Sequence, residues 1–204
     1  QRRAPLRPSY GGDHTMEEEL SHFSHRHPLR ISSDIIDEED QVICSGCEHD
    51  LSGTSAYSCT KMNCNFILHD SCFDLPRQIK HKSHPKHTLT LKFSPPYNDG
   101  EFTCDACGES GHAFAFHCEK CKFDLHVECA CLPEIEERED HQHPLTLCYN
   151  SFDLFLGKEV EVDVLCYICN RGIGKSCWFY SCLICKCGAH LDCVANQEIQ
   201  VSEI

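Results

Sequence analysis

Cysteine and histidine recur in this chain with the spacing of metal ligands. The sequence has 204 residues, of which 19 are Cys and 15 are His. The stretch CEKCKFDLHVEC, residues 118–129, carries the pattern C-x2-C-x4-H-x2-C. Residues 182–193 repeat all four positions, and residues 64–72 repeat the last three, with Cys59 upstream. Thiolate and imidazole are the usual ligands of Zn²⁺ in structural sites, so this spacing predicts zinc binding.

Disulfide formation and thiol redox chemistry are the other uses of closely spaced cysteines. The Cys count is odd, and a disulfide framework leaves histidine at fixed offsets unexplained. A redox C-x-x-C motif opens a helix in a βαβ unit, and the sequence pattern indicates no such unit. Zinc in a reducing compartment, cytoplasmic or nuclear, is therefore the expectation, and a redox enzyme is the least favoured function.

Each of the three copies carries more ligands than this core. A C-x2-C pair lies upstream of each core, and a His followed by alternating apolar residues lies further upstream, at 27–31, 87–91 and 143–147. One copy thus supplies seven ligands, one short of the eight that two four-coordinate sites need. Internal alignment places an eighth ligand twelve residues after the last Cys, at His84 and His141. His81 and Cys131 are the rivals for these two places.

The third copy lacks a His or Cys at the corresponding place. No Cys or His follows Cys193 in the sequence. The site that contains His143, Cys182 and Cys185 is therefore predicted to be incomplete and to hold zinc weakly. Glu198, Glu203, Cys187 or water are the candidates for its fourth ligand, and the chain is expected to bind five to six Zn²⁺.

The repeat also predicts the fold class and the domain boundaries. Alternating apolar residues around the ligands predict short antiparallel β-sheets, with a short helix after each last Cys. The expectation is small zinc-stabilised modules in tandem, with little other core. The predicted boundaries are 22–84, 85–141 and 142–204, after a leader or disordered tail over 1–21. Residues 1–15 are basic and unlike the repeats, and Val160, Val162 and Val164 alternate as a strand does.

Charge limits the classes of partner. The formal net charge is −14, which disfavours phosphate backbones and anionic lipid, so no nucleic acid is expected as a partner. No apolar run is long enough to span a membrane. The surplus cysteines are predicted to be small buried side chains and three histidines to lie on the surface: Cys131, Cys148, Cys177 and Cys187, and His49, His112 and His117.

The His-Pro-Leu starts, the two cysteine pairs and the C-x4-H-x2-C core resemble the C1 domain of protein kinase C. They resemble more closely its plant offshoot, the cysteine/histidine-rich divergent C1 (DC1) family. The opening HFSHRHPL, residues 22–29, is similar to a typical start of such proteins. The resemblance covers residues 22–204 and implies cross-braced zinc fingers, in which each site takes ligands from non-adjacent parts of the module.

The resemblance implies the following ligand sets. In the first copy they are His27, Cys59, Cys64 and His84, and Cys44, Cys47, His69 and Cys72. In the second they are His87, Cys118, Cys121 and His141, and Cys104, Cys107, His126 and Cys129. In the third they are His143, Cys182 and Cys185, and Cys166, Cys169, His190 and Cys193. The uneven Cys59-x4-Cys64 spacing predicts a distorted turn at residues 61–63.

The resemblance also implies a function. We expect a monomeric, non-catalytic protein-interaction or signalling scaffold in plant cells, in stress, defence or developmental signalling. Lipid-binding C1 domains carry a Gln four residues before the third Cys, where this chain has Ser55, Phe114 and Trp178, so diacylglycerol binding is not expected. The alternatives are a histone-tail reader of the PHD type and an atypical C1 lipid-signal binder.

Overall fold

The computed structural model describes residues 19–32, 42–51, 55–150 and 165–195. These ranges hold three main β-sheets, one for each copy of the repeat, and one separate two-stranded hairpin. We call the three copies modules 1, 2 and 3. The predictions for the leader (1–18), for the strand at Val160–Val164 and for Glu198 and Glu203 lie outside the described residues.

Module 1 is a three-stranded antiparallel sheet followed by one helical turn. The sheet has the order β1-β2-β3. A bridge between Leu20 and Leu29 extends it at the edge of β1. The bounds are Leu29–Ser32 (β1), Ala56–Cys59 (β2), Ile67–His69 (β3) and Asp70–Phe73 (α1).

Module 2 repeats this arrangement with a complete fourth strand and a small hairpin. The main sheet has the order β4-β5-β8-β9, and β6 pairs with β7. The bounds are Gln78–Ile79 (β4), Leu89–Lys92 (β5), Phe102–Thr103 (β6), Ser110–Gly111 (β7), Ala115–Cys118 (β8), Phe123–His126 (β9) and Val127–Ala130 (α2).

Module 3 is a four-stranded antiparallel sheet of order β10-β11-β12-β13. The bounds are Ile135–Arg138 (β10), His141–Cys148 (β11), Phe179–Cys182 (β12), Cys187–His190 (β13) and Leu191–Ala195 (α3). The three modules confirm the predicted class of short antiparallel sheets, each with a short helix.

The alternating His-x-Leu segments form the strands that the pattern predicts. In β5, Leu89 and Leu91 are buried while Thr90 and Lys92 between and after them are partly exposed. The central strands β8 and β12 are instead buried at every residue. They have a strand on either side and pack against the helix that follows. Alternation therefore weakens where both faces of a strand are covered.

The helices are single turns whose position depends on the metal ligands. Each helix begins directly after a ligand histidine and contains a ligand cysteine. For α1 these residues are His69 and Cys72. A helix of four residues is far below the length that is stable alone in water. Coordination at both ends of the turn is therefore what would hold it.

A hydrogen bond joins the start of module 1 to its end. The Nε2 of His22 lies 3.1 Å from the carbonyl oxygen of Phe73, the last residue of α1. The Nδ1 of the same ring lies 2.7 Å from the Ser24 hydroxyl, which orients it. His22 is 8% exposed, so this contact lies in the interior of the module.

Arginine makes the equivalent contact in module 3. The Nη1 of Arg138 donates to the carbonyl oxygen of Val194 at 2.7 Å and to that of Cys193 at 3.3 Å. Asp140 holds the guanidinium through bonds of 2.8 and 3.0 Å. The guanidinium thus closes the module onto the end of α3, as His22 does onto α1.

The described part of the chain contains no helix that is both long and apolar enough to cross a membrane.

Candidate metal centres

The first cysteine pair of each module meets the histidine and cysteine at the ends of its helix. We call these clusters the helix-end sites. In modules 1 and 2 the four donor atoms all lie within 4.8 Å of one another. In module 3 the His190 Nδ1 lies 3.4 Å from Cys169 Sγ and 3.8 Å from Cys193 Sγ. The members are Cys44, Cys47, His69 and Cys72; Cys104, Cys107, His126 and Cys129; and Cys166, Cys169, His190 and Cys193, as the sequence predicts.

The histidine at each helix-end site has one defined orientation. Its Nδ1 faces the sulfurs, and its Nε2 contacts a backbone carbonyl oxygen of the loop after the first cysteine pair. The Nε2–O distances are 3.1 Å for His69 to Asp50, 3.3 Å for His126 to Ser110 and 3.1 Å for His190 to Gly172. Such a second contact fixes the tautomer and the ring orientation of a metal-binding histidine.

The electrostatics of the helix-end sites favour a bound cation. Hydrogen bonds from the Cys47 and Cys72 thiols hold the pKa of Cys44 well below its usual range, and the His69 amide adds to this. The Cys169 pKa falls to about 6 because the Arg171 backbone amide donates to its sulfur. Bonds to the Cys104 and Cys107 sulfurs raise the pKa of His126 to about 10. Each cluster therefore favours one thiolate, at Cys44, Cys104 or Cys169, while hydrogen bonds and burial raise the pKa of a neighbouring thiol, at Cys72, Cys129 or Cys193. A divalent metal ion would stabilise the remaining ligands in their deprotonated form.

The second cysteine pair of each module meets a pair of histidines at the module's start. We call these clusters the histidine-pair sites, and all four donor atoms of each lie within 4.8 Å. Together with the helix-end sites they give the cross-braced arrangement that the resemblance implies. The members are His25, His27, Cys59 and Cys64; His84, His87, Cys118 and Cys121; and His141, His143, Cys182 and Cys185.

The ligand sets implied for modules 1 and 2 were wrong in one member each. His84 does not close the first module, because its Nε2 lies 3.3 Å from His87 Nδ1 in the site of module 2. His25 takes that place in module 1, with its Nε2 at 3.2 Å from Cys59 Sγ and 3.3 Å from Cys64 Sγ. The predicted boundary at 84/85 thus runs between two ligands of one site.

The incomplete site predicted for module 3 is also wrong. His141, which was assigned to module 2, lies with His143, Cys182 and Cys185. Burial opposes ionisation of Cys182, but the Cys185 amide, which donates to its sulfur, and the nearby His141 ring outweigh it and lower its pKa to about 6. The Nε2 of His141 is buried, and no protein atom of the described residues hydrogen-bonds to it. This is the same nitrogen that His25 and His84 direct at their sites, so a metal would satisfy it.

An aromatic ring orients the first histidine of each pair in modules 1 and 2. His25 stacks on Phe66 with ring centroids 4.2 Å apart, and His84 stacks on Phe123 at 4.7 Å. Both rings lie two residues after the second Cys of their pair. In module 3 this position is Cys187, and His141 instead contacts the Tyr167 ring at 5.2 Å.

The rival ligands have other roles. His81 is not a member of the histidine-pair site of module 1: its Nδ1 lies 2.7 Å from the Ser83 hydroxyl and its ring stacks on Trp178. Cys131 is exposed and lies outside the site of Cys104, Cys107, His126 and Cys129.

The longer Cys59–Cys64 spacing is absorbed by a turn. Asn63 has a left-handed backbone with φ of 62°, which Asn tolerates better than most residues. Met62 is 87% exposed at the tip. The extra residues bulge outward, as predicted for residues 61–63, and Cys64 still reaches His25.

The surplus cysteines and histidines only partly follow their prediction. Cys148 is buried, Cys177 and Cys187 are half-buried, and Cys131 is exposed. His49 and His112 are exposed, as predicted. His117 was predicted to lie on the surface and is buried, with its Nδ1 2.8 Å from Asp124 Oδ1. The Tyr97 hydroxyl donates to the same carboxylate at 2.5 Å, which gives module 2 a buried polar network.

The donor sets fit zinc. They are Cys₃His at the helix-end sites and Cys₂His₂ at the histidine-pair sites, the sets that structural zinc prefers. With Zn–S near 2.3 Å and Zn–N near 2.1 Å, a tetrahedral ion holds sulfur and nitrogen about 3.6 Å apart. The S···N distances that join the donors of these sites are 3.2–3.8 Å.

One signal in the sequence pointed to the correct pairing. Two of the three histidine pairs have the spacing His-x-His, at 25–27 and 141–143, and the third has the spacing His-x2-His, at 84–87. Because His84 and His141 lie at equal distances from the cysteine before them, alignment within the chain did not show which module they serve.

The comparisons with known proteins agree with this geometry. A family model described as the C1 domain matches three segments, residues 23–73, 82–130 and 139–194. "Probable nucleoredoxin 1" from Arabidopsis thaliana is 39% identical over 67 residues, which are 33% of this chain and 11% of that protein. "Probable nucleoredoxin 3" from the same plant is 37% identical over 65 residues, 32% of this chain and 14% of that protein. The matched part is thus a small fraction of either relative.

Proposed function

The chain belongs to the C1 domain family, and from this premise we propose that it is a non-catalytic interaction scaffold in plant signalling. It is a zinc-finger protein with three tandem C1-like modules. The observation that carries the proposal is that every site has four protein donors. A catalytic zinc keeps an open position for water or substrate, whereas a structural zinc has none. The metal then serves to hold three binding surfaces in shape.

Redox catalysis has little support in the geometry. Both cysteines of each C-x2-C pair lie in a cluster with a histidine, where a bound zinc would occupy their sulfurs. The relatives named nucleoredoxin match this chain over only 11% and 14% of their own lengths. We therefore do not extend a redox activity to this chain.

The two alternative functions, a PHD-type histone-tail reader and a C1 lipid-signal binder, also have little support. A PHD-type arrangement would need Cys104 and Cys107 to complete module 1, but both lie with His126 in module 2. At the positions where lipid-binding C1 domains carry Gln, Phe114 and Trp178 are 2% and 3% exposed. A protein partner remains the best fit, since the net charge of −14 opposes nucleic acid and anionic lipid.

The test combines an assay in plant cells with two assays on the purified chain. Proximity labelling would compare the wild type with His126→Ala, which removes a zinc ligand, and with His112→Ala, which changes an exposed histidine. We expect a protein set, cytoplasmic or nuclear, that the first variant loses and the second keeps. Catalytic reduction of insulin, or saturable binding to diacylglycerol vesicles by the zinc-loaded chain, would overturn the proposal.

A further inference from the structure

The two junctions between modules use the same pair of positions. One is the residue just before the second cysteine of the first pair, which is Gly46 in module 1 and Ala106 in module 2. The other is the residue four places before the third cysteine of the next module, which is Phe114 in module 2 and Trp178 in module 3. In both junctions the amide of the aromatic residue donates to the carbonyl of the small residue, at 3.0 and 2.7 Å.

At the junction of modules 1 and 2 the small residue lies in a tight space. A Cβ added to Gly46 would lie 3.2 Å from a ring carbon of Phe114 and 3.0 Å from Leu68. Phe114 is 2% exposed, so its ring is enclosed by this contact. Next to it, the His112 amide donates to a Glu48 carboxylate oxygen at 2.9 Å.

At the junction of modules 2 and 3 the aromatic ring is also enclosed. Trp178 is 3% exposed and stacks on His81 of module 2 with ring centroids 5.2 Å apart. The Cys177 thiol donates to the Cys107 carbonyl at 3.4 Å. Ala106 itself is 0% exposed.

Module 3 carries a larger residue at the first of these positions. Its counterpart of Ala106 is Ile168, between Cys166 and Cys169, and Ile168 is 37% exposed. Module 1 in turn has Ser55, which is exposed, where modules 2 and 3 have an aromatic residue. Within the described residues, a small residue and an aromatic residue therefore meet at both junctions.

We propose that the first cysteine loop of a module is the docking surface for the aromatic-led loop of the module that follows. The partner it fits has a large aromatic four residues before its third ligand cysteine and a free amide at that residue. Gly or Ala in the docking loop admits the ring, whereas a side chain as large as that of Ile168 would exclude it. The helix-end zinc holds the loop, so docking links each module's zinc to the position of the next module.

Trp178 is the single tryptophan and reports on one junction. The experiment uses the zinc-loaded full chain and compares Ala106→Ile with the matched control Ile168→Ala. We expect red-shifted emission and greater acrylamide quenching in A106I, with a zinc count in native mass spectrometry equal to wild type. I168A should keep the wild-type emission. A106I with full zinc and wild-type emission would overturn the proposal.

A second measurement decides the matter if A106I loses zinc. Neither Phe114 nor Trp178 is a metal ligand, so each can be changed without removing a zinc donor. We would replace each with Ser, the residue that module 1 has at the equivalent position, Ser55. Small-angle scattering should show a larger radius of gyration for Phe114→Ser and Trp178→Ser than for the wild type. Phe93→Ser, at a 54% exposed phenylalanine, should not change it. Unchanged scattering in both junction variants would show that these contacts do not couple the modules.

Discussion

The two imidazoles of a histidine-pair site differ in the nitrogen that faces the sulfurs. His25 and His84 direct Nε2 at their sites, while His27 and His87 direct Nδ1. In modules 1 and 2 the first ring is held by an aromatic stack, and the second lies two residues before a strand, β1 after His27 and β5 after His87. The two histidines are thus positioned by separate contacts, although they are close in sequence.

The assignment of His25 to module 1 predicts which cysteines become reactive to alkylation when a ligand histidine is replaced. His25→Ala should release one zinc and expose Cys59 and Cys64 to alkylation, because loss of a ligand removes much of the metal's folding free energy. His84→Ala should instead expose Cys118 and Cys121. Mass spectrometry of alkylated peptides reads this out, with His112→Ala as the silent control. Labelling of Cys59 and Cys64 in H84A but not in H25A would restore the original pairing.

Tyr180 gives a pH dependence at the residue scale. Burial, and then the charge of Glu136, raise its pKa from about 10 to about 12. The folded state keeps the phenol proton between pH 10 and 12 where the unfolded state releases it, so stability falls as pH rises through this window. Tyr180→Phe should make that fall shallower in urea unfolding measured at pH 8 and about pH 11. It should also cost about 1 kcal/mol at pH 8, because the bond to the Pro133 carbonyl is lost. A slope equal to wild type would contradict the assignment.

At the scale of elements, each module is a small sheet whose ends are brought together twice. The metal ligands would do so at the two sites, and in modules 1 and 3 a side chain at the module's start does so at the end of the helix. His22 in module 1 and Arg138 in module 3 both contact the carbonyl of the residue after the last ligand cysteine. Because the helices are single turns, such a contact is a large part of what fixes them.

The Arg138 contact should therefore contribute measurably to the stability of module 3. Its side chain is 6% exposed and donates to Cys193, Val194 and Asp140. Arg138→Met keeps the aliphatic stem and removes the charged donors, which should destabilise the module by about 1.5–3 kcal/mol. Hydrogen exchange of the α3 amides should quicken accordingly. Lys120→Met, at an exposed lysine of module 2, should leave those amides unchanged; equal exchange in the two variants would contradict this.

At the scale of the whole molecule, the sites are evenly built along the chain. Three helix-end sites and three histidine-pair sites each have four donors. The weak last site expected from the sequence is absent once His141 is assigned to module 3. The chain is strongly acidic, with a formal net charge of −14, which favours a protein over a nucleic acid as the proposed partner.

The expected zinc content is now six ions per chain. Native mass spectrometry of the zinc-loaded chain should show six, and a chelator titration should show no single ion that leaves well before the rest. Lowering the pH should release zinc, because thiolate and imidazole must be deprotonated to bind it. A count of five, with Cys182 and Cys185 free to alkylation, would show that module 3 lacks its histidine-pair site.

The sequence by itself determined the fold class, the three modules and most of the ligands. These follow from spacings within about fifteen residues, such as C-x4-H-x2-C. Such local spacings do not depend on how the modules pack against one another. Tertiary structure decided the rest. The module that His84 and His141 serve depends on which cysteine pair each one packs against, and the offset from the preceding cysteine is the same for both choices. The burial of His117 depends on Asp124 across β9, and that of Phe114 and Trp178 on the neighbouring module. The contacts of Phe114 and Trp178 join different modules, and the His117–Asp124 contact depends on the register of β8 against β9, so the spacing of the ligands specifies neither.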